Sequence, residues 1–557
     1  MKSRRLSLLL GGGALLAASL TGCYKDLGNY DYHAINELQV DSLRQTYAVD
    51  VDDSLIIQPI LKGTLYGDTA RFTYAWEMGG QTVSTSHDLR MKINQVPGYK
   101  YSRYVVTDKE NGVKSYFEFG VNVSSSTAGD LVMVLSKYQG RAELSYLRLD
   151  KPANWAVNYF KDRIGHSLGT TPQELAICYT ESARNAPFVN RFGRVMVLVD
   201  NVVNLIDKSS LQPDSVNPVL TKEAYLQLVS YPKPDVPEYK SEFVREQVDL
   251  WRFVTYGQQM NNYFMEISAG KLFTATLAPS IWSSSYSYNG ASPYEKGYFA
   301  PYGYWDDMSD TPDDKNKQAG YNTGSFIMYD QVNDRFAYAN GYGDIYSIDE
   351  ADVKAFPGYN LLWGAATNRP NNTSLAVLNN GNQCRLVLLQ DGKGANNGKS
   401  TKKLVAEISG GSVMDAQTKF YMSKYNEGLY FSTGNTLYRY NILNITSGVT
   451  PSSRDKVISL TELGYDSEAR ITDICVSRSE KTLLVGVSRY GSDSEAAGDE
   501  PKGDILYFDL NIGTGELTYN AAKTAKGVAG IPVDVEIKYQ THYRNGVDVY
   551  GNVKDNI

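Results

Sequence analysis

The chain has 557 residues, of which 42% are hydrophobic and 21% charged, and its formal net charge is -7 at pH 7. This length predicts more than one domain or one large repeat array. The net negative charge, without a basic stripe along the sequence, argues against a nucleic-acid partner.

The N-terminus has the pattern of a secretion signal. Lys2, Arg4 and Arg5 precede an apolar run at residues 6–20 that is too short to span a bilayer stably. The Leu-Thr-Gly-Cys run that ends at Cys23 resembles a bacterial lipobox, which implies a lipid on Cys23. We predict a lipoprotein signal peptide at residues 1–22, a lipidated tether at 23–34 and attachment to the membrane through that lipid. The alternative is an ordinary signal peptide followed by a chance cysteine.

Residues 35–126 alternate short strand-like runs with turns, which predicts a β-sandwich. Trp76 lies in an alternating strand, and a later aromatic-rich strand ends in Thr107-Asp108. Together with residues 23–32, these features resemble the Bacteroidetes PKD-like family lipoproteins, whose PKD domain is an immunoglobulin-like sandwich. The family's Trp-x-Phe-Gly element reads Trp-Glu-Met-Gly at residues 76–79, which is a departure. For Trp76 we favour a buried core position over a platform for a sugar.

The resemblance implies a role in nutrient uptake. Members of the family typically accompany SusC/SusD-type outer-membrane importers, so the protein is expected on the outer membrane, facing the cell exterior, and binding glycan or peptide. The resemblance is strongest over residues 23–125.

Residues 127–557 predict an all-β repeat. A unit of turn, apolar-aromatic strand and terminal Asp or Asn ends at Asn441 and returns at Asp349 and Asp509, with looser copies at Asp150 and Asp207. An all-strand unit that recurs at irregular intervals along the sequence is typical of propeller blades. We predict a β-propeller of about seven blades, with six or eight left open. Residues 419–442 are predicted as a two-stranded hairpin, and residues 533–539 as a strand that closes the ring against the first blade.

An unusual aromatic loop at residues 281–314 supplies the candidate binding site. Trp282, Tyr302, Tyr304 and Trp305 offer flat apolar faces with polar edges, which suit recognition of a sugar or a peptide. The alternative is a loop packed on its own aromatic side chains. The acidic residues that follow do not match a calcium-binding spacing, so they predict a solvated loop and no metal site.

Catalytic motifs are absent from the sequence. Only four histidines occur, and no zinc-binding, serine-hydrolase or phosphate-loop pattern is found. We therefore expect a binding protein without a cofactor rather than an enzyme. A glycoside hydrolase or lyase stays open because two facing carboxylates are enough for hydrolysis, and a structural or adhesive surface protein is a third alternative. Cys178 and Cys475 lie in apolar strand-like runs and are expected to be buried free thiols, while one disulfide among Cys178, Cys384 and Cys475 is left open.

Overall fold

The computed structural model describes residues 37–51, 53–64, 69–125, 127–152, 155–178, 194–213, 218–220, 240–248, 252–254, 257–259, 262–277, 284–288, 298–305, 326–339, 345–371, 373–391, 402–490, 500–539 and 557. The chain divides into two compact units, Met1–Ser126 and Thr127–Ile557. The predicted signal peptide, the tether and Cys23 lie outside the described residues.

The first unit is a β-sandwich. Its strands in chain order are β1 (Leu38–Val40), β2 (Thr46–Asp50), β3 (Ser54–Ile57), β4 (Leu61–Gly63), β5 (Phe72–Met78), β6 (Gln81–Ser84), β7 (Leu89–Lys92), β8 (Gly98–Asp108) and β9 (Lys114–Ser124). A five-stranded sheet has the order β2-β9-β8-β5-β6, and two smaller sheets pair β3 with β7 and β1 with β4. Strand β2 runs parallel to β9, whereas the other pairings in the large sheet are antiparallel.

Trp76 lies at the centre of the sandwich core. Strand β5 alternates its side chains between the core and the outer face, and Trp76 points inward with 0% exposure. Its indole stacks on Tyr104 at 4.2 Å between ring centroids and donates its N–H to the Ser86 carbonyl oxygen at 2.9 Å. Burial of the whole ring confirms the core position and leaves no face for a sugar.

The second unit consists of successive antiparallel sheets. The first sheet begins with β10 (Leu131–Tyr138), β11 (Arg141–Arg148) and β12 (Trp155–Ala156), and helix α1 (Tyr159–Ile164) follows. The second has β13 (Pro172–Cys178), β14 (Arg194–Val199), β15 (Val202–Asp207) and β16 (Val219–Leu220). The third combines β17 (Ser241–Val248), β20 (Asn262–Ser268), β21 (Lys271–Leu277) and β22 (Ser284–Tyr288), and a separate hairpin pairs β18 (Arg252–Val254) with β19 (Gly257–Gln259).

The remaining sheets follow the same order. The fourth has β23 (Tyr304–Trp305), β24 (Phe326–Asp330), β25 (Arg335–Ala339) and β26 (Ile345–Ser347). The fifth has β27 (Asn360–Ala366), β28 (Ser374–Asn379), β29 (Cys384–Asp391) and β30 (Lys402–Ser409). The sixth has β31 (Lys419–Met422), β32 (Gly428–Thr433), β33 (Thr436–Asn441), helix α2 (Leu443–Thr446) and β34 (Lys456–Ser459). The seventh has β35 (Arg470–Val476), β36 (Thr482–Ser488), β37 (Gly503–Leu510), β38 (Leu517–Tyr519) and β39 (Ala525–Ala529), and the last strand is β40 (Ile531–Lys538). Short 3-10 turns occur at Thr69–Arg71, Gly411–Val413, Ser453–Asp455 and Leu460–Leu463.

Strand β40 closes the ring. It pairs antiparallel with β10 and completes the first sheet in the order β12-β11-β10-β40. Shared apolar clusters join the first sheet to the second, the fourth to the fifth, and the seventh back to the first. The predicted closing role of residues 533–539 is confirmed. The protein is all-β, a sandwich followed by a propeller, and the described residues include seven of the propeller's sheets.

The repeated sequence unit does not occupy one position in every sheet. The segments that end at Asp207, Asn441 and Asp509 lie on or directly after the third strand, whereas the copy that ends at Asp349 lies on β26, a fourth strand. The unit therefore does not mark the same strand in every sheet. Residues 419–442 also form three strands rather than a two-stranded hairpin, because Thr433 and Thr436 flank a second turn.

The terminal Asp or Asn of the repeat has a local cause. The Asn441 side-chain oxygen accepts the Leu443 N–H at 2.9 Å, and the Asp207 carboxylate accepts the Ser210 N–H at 2.8 Å. Such side chains accept hydrogen bonds from backbone N–H groups in the turn after a strand, because those groups have no partner in the β-ladder. The unit therefore marks a strand followed by a turn, wherever that strand lies in its sheet.

Two of the predicted thiols are described. Cys475 is buried and free, as expected, and Cys384 is buried and free as well. Burial raises the pKa of Cys384 to about 12. The side chain of Cys178 lies outside the described residues.

Candidate functional site

Three of the four predicted aromatic residues are described: Tyr304 and Trp305 form strand β23, and Tyr302 lies just before it. Trp282 lies outside the described residues. Tyr302, Tyr304 and Trp305 pack against the fourth sheet and its neighbours. Among the described residues 298–305, Tyr298 has an exposed ring, with 43% of the residue exposed.

Tyr304 is a core residue. Its side chain is 3% exposed and lies in the cluster shared by the fourth and fifth sheets. Its hydroxyl lies 3.2 Å from the Ser374 Oγ, and a Cβ added to Gly364 would overlap the ring. Burial raises the pKa of Tyr304 far above its usual value. The self-packed alternative describes this residue, because its ring has no open face for a ligand.

Tyr302 and Trp305 are half-buried. The Tyr302 ring lies 4.8 Å from Phe243, and its hydroxyl donates to the Gly364 carbonyl oxygen at 3.4 Å. Trp305 meets Phe326 edge to face at 5.2 Å between centroids. The indole N–H of Trp305 is buried and has no hydrogen-bond partner among the described residues. Of the three described residues, Trp305 is therefore the strongest candidate for contact with a ligand.

A second group, which we call the inner carboxylates, consists of Asp473, Asp534 and Glu174. The Asp473 Oδ2 on β35 accepts the Val535 N–H on β40 at 2.8 Å. The Asp534 Oδ2 on β40 accepts the Leu175 N–H on β13 at 2.7 Å. These two bonds link the seventh sheet to the first and the first to the second.

Glu174 continues the series. Its Oε2 accepts the Val244 N–H on β17 at 3.2 Å, which links the second sheet to the third. The strands β13, β17, β35 and β40 are first or last in their sheets, so one edge of each has no ladder partner. Backbone N–H groups on such edges need acceptors when they are buried. The inner carboxylates supply them from the neighbouring sheet.

The electrostatics of this group are unusual. Desolvation and the nearby Asp534 raise the pKa of Asp473 well above its usual range, although Lys419 and the Val535 and Ile474 N–H groups oppose the shift. A carboxyl with a raised pKa beside a second carboxylate is the arrangement that acid–base hydrolysis requires. Here each of the two residues uses an oxygen to hold the next sheet, which is a structural task.

Sequence reasoning did not find the inner carboxylates. The available signal was the alternation Val-Asp-Val-Glu at residues 533–536, which puts two acidic side chains on one face of a strand. Their partners are distant in sequence, and the Asp534–Leu175 bond joins residues 359 positions apart.

A buried carboxylate also joins the sixth and seventh sheets. Glu480 is 1% exposed and accepts from the Tyr421 hydroxyl, the Ser423 hydroxyl and the Lys424 N–H, each at 2.7 Å. Three donors satisfy carboxyl oxygens that would otherwise be costly to bury. The propeller thus uses acidic side chains repeatedly as links between sheets. Within the described ranges, no group of three or more His, Cys, Asp or Glu side chains is arranged to hold a metal ion.

The fold and these contacts define an all-β sandwich and propeller protein, and residues 23–172 match the model of the PKD-like family. No curated protein matches the chain. In the described part of the chain, none of the helices has the length and apolarity that crossing a bilayer requires.

Solved structures offer distant likenesses. A quinonprotein alcohol dehydrogenase-like protein from Bacteroides thetaiotaomicron is 11% identical, with 90% of this chain and 99% of that chain covered and a TM-score of 0.39. An auxiliary nutrient binding protein from the same species is 10% identical, with 81% and 93% covered and a TM-score of 0.29. Virginiamycin B lyase from Staphylococcus aureus is 12% identical, with 64% and 92% covered and a TM-score of 0.28. At these TM-scores the likenesses carry no functional argument.

Proposed function

We propose that the protein is a lipid-anchored lipoprotein of the outer membrane, facing the cell exterior, that binds glycan or peptide as an accessory to a SusC/SusD-type importer. The observation that carries the proposal is the start of the family match. The PKD-like model begins to match at Cys23, the residue that the lipobox pattern places first in the mature chain. The matched residues therefore include both the proposed anchor residue and the sandwich.

The inner carboxylates support binding rather than catalysis. Asp473 and Asp534 each have an oxygen engaged by a backbone N–H of the next sheet. Moving either carboxylate onto a substrate would leave a buried N–H without its acceptor, at a cost of about 1–3 kcal/mol. A binding protein that keeps these links intact needs no such rearrangement.

The anchor is tested by replacing Cys23. In the native bacterium, a Cys23→Ala variant should lose acyl labelling and leave the outer-membrane fraction or accumulate as precursor. A Cys384→Ala variant is the matched control, because Cys384 is buried and free and should not affect processing. Labelled, mature Cys23→Ala protein in the outer membrane would contradict the proposal.

The exposed location is tested on intact cells. Protease added outside should cleave the wild-type protein, whereas a periplasmic marker stays protected. Co-purification with importer components after mild solubilisation tests the partner. Protection of the wild-type chain until the outer membrane is broken would place the protein on the inner face and overturn the exterior assignment.

The second candidate function is a glycoside hydrolase or lyase, and one observation favours it. Asp473 has a raised pKa and lies beside Asp534, so one residue of the pair has the protonation behaviour of a general acid. An enzyme of this kind would use these two residues.

A further inference from the structure

The outer face of the five-stranded sheet in the sandwich carries an exposed row of tyrosines. Tyr99 is 63% exposed, and Tyr101 and Tyr116 are each 50% exposed. Tyr99 and Tyr101 lie two residues apart on β8, and Tyr116 lies on β9 opposite Val105. All three side chains point away from Trp76 and the core, because alternate residues of a strand face opposite sides.

Each tyrosine of this row is held in place. The Tyr99 ring lies over the backbone of Gly120, where an added Cβ would come within 2.5 Å of the ring. Tyr101 is hydrogen-bonded to Glu118, which raises the pKa of the Tyr101 hydroxyl. A ligand that stacks on rings already held in place loses less side-chain entropy on binding.

Polar groups alternate with the rings. Arg103 lies between Tyr101 and Val105 on β8, and its guanidinium lies 5.1 Å from the centre of the Tyr116 ring. Arg103 also pairs with Glu77 on β5. The row from Tyr99 to the level of Tyr116 spans six residue-to-residue steps along β8, or roughly 20 Å at about 3.4 Å per step. This length suits an extended ligand of several units.

We propose that this face is a binding site for a neutral polysaccharide. The inference deepens the proposed function and rests on it, since it names both the ligand class and the surface. Flat rings accept the C–H faces of sugar rings, and the adjacent carboxylate and guanidinium groups bond to hydroxyls. This face does not complement an acidic chain, because Arg103 is already neutralised by Glu77 and Glu118 adds a negative charge.

The test uses the detergent-solubilised full-length mature protein. Retardation is measured in native gels that contain amylopectin, galactomannan, arabinoxylan or mixed-linkage β-glucan, with polygalacturonate as the acidic comparison. We expect retardation by at least one neutral polymer and none by polygalacturonate. The retardation should be insensitive to salt, because the interaction does not depend on net charge.

Two variants locate the site. Tyr99→Ala and Tyr116→Ala should each weaken apparent affinity about ten-fold or more, as removal of an aromatic anchor from a binding surface does. Gly120→Ala should weaken binding as well, because the added methyl group displaces the Tyr99 ring while every aromatic group is kept. Val113→Ala is the matched control, since Val113 is an exposed apolar residue, 43% exposed, near the turn between β8 and β9. All four variants should melt within a few degrees of the wild type.

The outcomes separate the inference from the proposed function. If the wild type is retarded by a neutral polymer and both tyrosine variants are retarded equally, the protein binds glycan elsewhere and this site is refuted. If only polygalacturonate retards it, or if the wild type binds peptides and no polysaccharide, the ligand class is refuted while the accessory role stands. If Tyr99→Ala changes the oligomeric state and no polymer retards the wild type, the face is a contact between protein copies and the inference fails.

Discussion

Replacing Tyr304 should damage the fold rather than ligand binding. The residue is 3% exposed, contacts the fourth and fifth sheets, and places its hydroxyl 3.2 Å from Ser374. Removing a buried aromatic side chain costs about 3–5 kcal/mol of unfolding free energy, so Tyr304→Ala should lose that much. Tyr304→Phe removes only the hydroxyl and should lose about 1 kcal/mol.

The assay is equilibrium unfolding in urea, monitored by fluorescence and circular dichroism. Val332→Ala is the control, because Val332 is 61% exposed in the turn after β24 and should change stability by about 0.5 kcal/mol or less. Gly364→Ala gives an independent check, since its methyl group must push the Tyr304 ring aside and should cost about 1–3 kcal/mol. A loss below about 1 kcal/mol for Tyr304→Ala would refute the core assignment.

Three further predictions follow from the ring and its ionisable groups. The pKa of Asp473 is raised in the native state. Above the unfolded-state pKa of about 4, the native protein therefore keeps a proton that the unfolded chain releases. Asp473 consequently lowers the free energy of unfolding as pH rises. The Asp473→Asn variant keeps an acceptor oxygen but cannot titrate. Its free energy of unfolding relative to wild type, measured by urea titration, should therefore increase between pH 4 and pH 7. A difference between variant and wild type that stays constant with pH would contradict the raised pKa. Lys538 is buried, donates to the Thr127 and Gly129 carbonyl oxygens, and has its pKa lowered to about 7 by that burial. Between this value and the unfolded-state pKa of about 10.4, the unfolded chain binds one more proton than the native protein. The wild type should therefore gain stability relative to Lys538→Met as pH rises from 7 to 10. The absence of such a gain would refute the lowered pKa of Lys538. Residues 127–557, expressed alone, should unfold as one cooperative β-rich unit because β40 closes the ring on β10 within that segment; failure to fold while the full mature chain folds would show that the sandwich is required.

The sequence was informative where a local pattern has a local cause. The alternation around Trp76 predicted a strand with one buried face, and the structure confirms it. The alternating strand-like run at residues 533–539 predicted a strand that closes the ring, and the pairing of β40 with β10 confirms it. The Asp or Asn of the repeat marks the turn after a strand, so it could not distinguish a third strand from the fourth strand β26.

The candidate binding residues were harder to predict, because amino-acid composition does not show which way a side chain points. Tyr304 and Trp305 are neighbours in one aromatic run, yet successive strand residues face opposite sides, and Tyr304 alone of the two is fully buried. The inner carboxylates depend on sheets that meet only in the closed ring, so no short-range pattern marks their partners. The sequence did not indicate the tyrosine row on the sandwich, because tyrosine is a favoured residue in strands generally. Only the exposure of the side chains in the structure distinguishes a surface row from a core.

The most direct test of the account is whether the protein holds a ligand without converting it. The mature chain is incubated with the same four neutral polysaccharides and with a peptide panel, and both retention and the release of reducing or unsaturated ends are measured. We expect retention of at least one ligand, no released product, and the same retention for Asp473→Asn. Product released by the wild type and abolished in Asp473→Asn would contradict it and make the protein an enzyme.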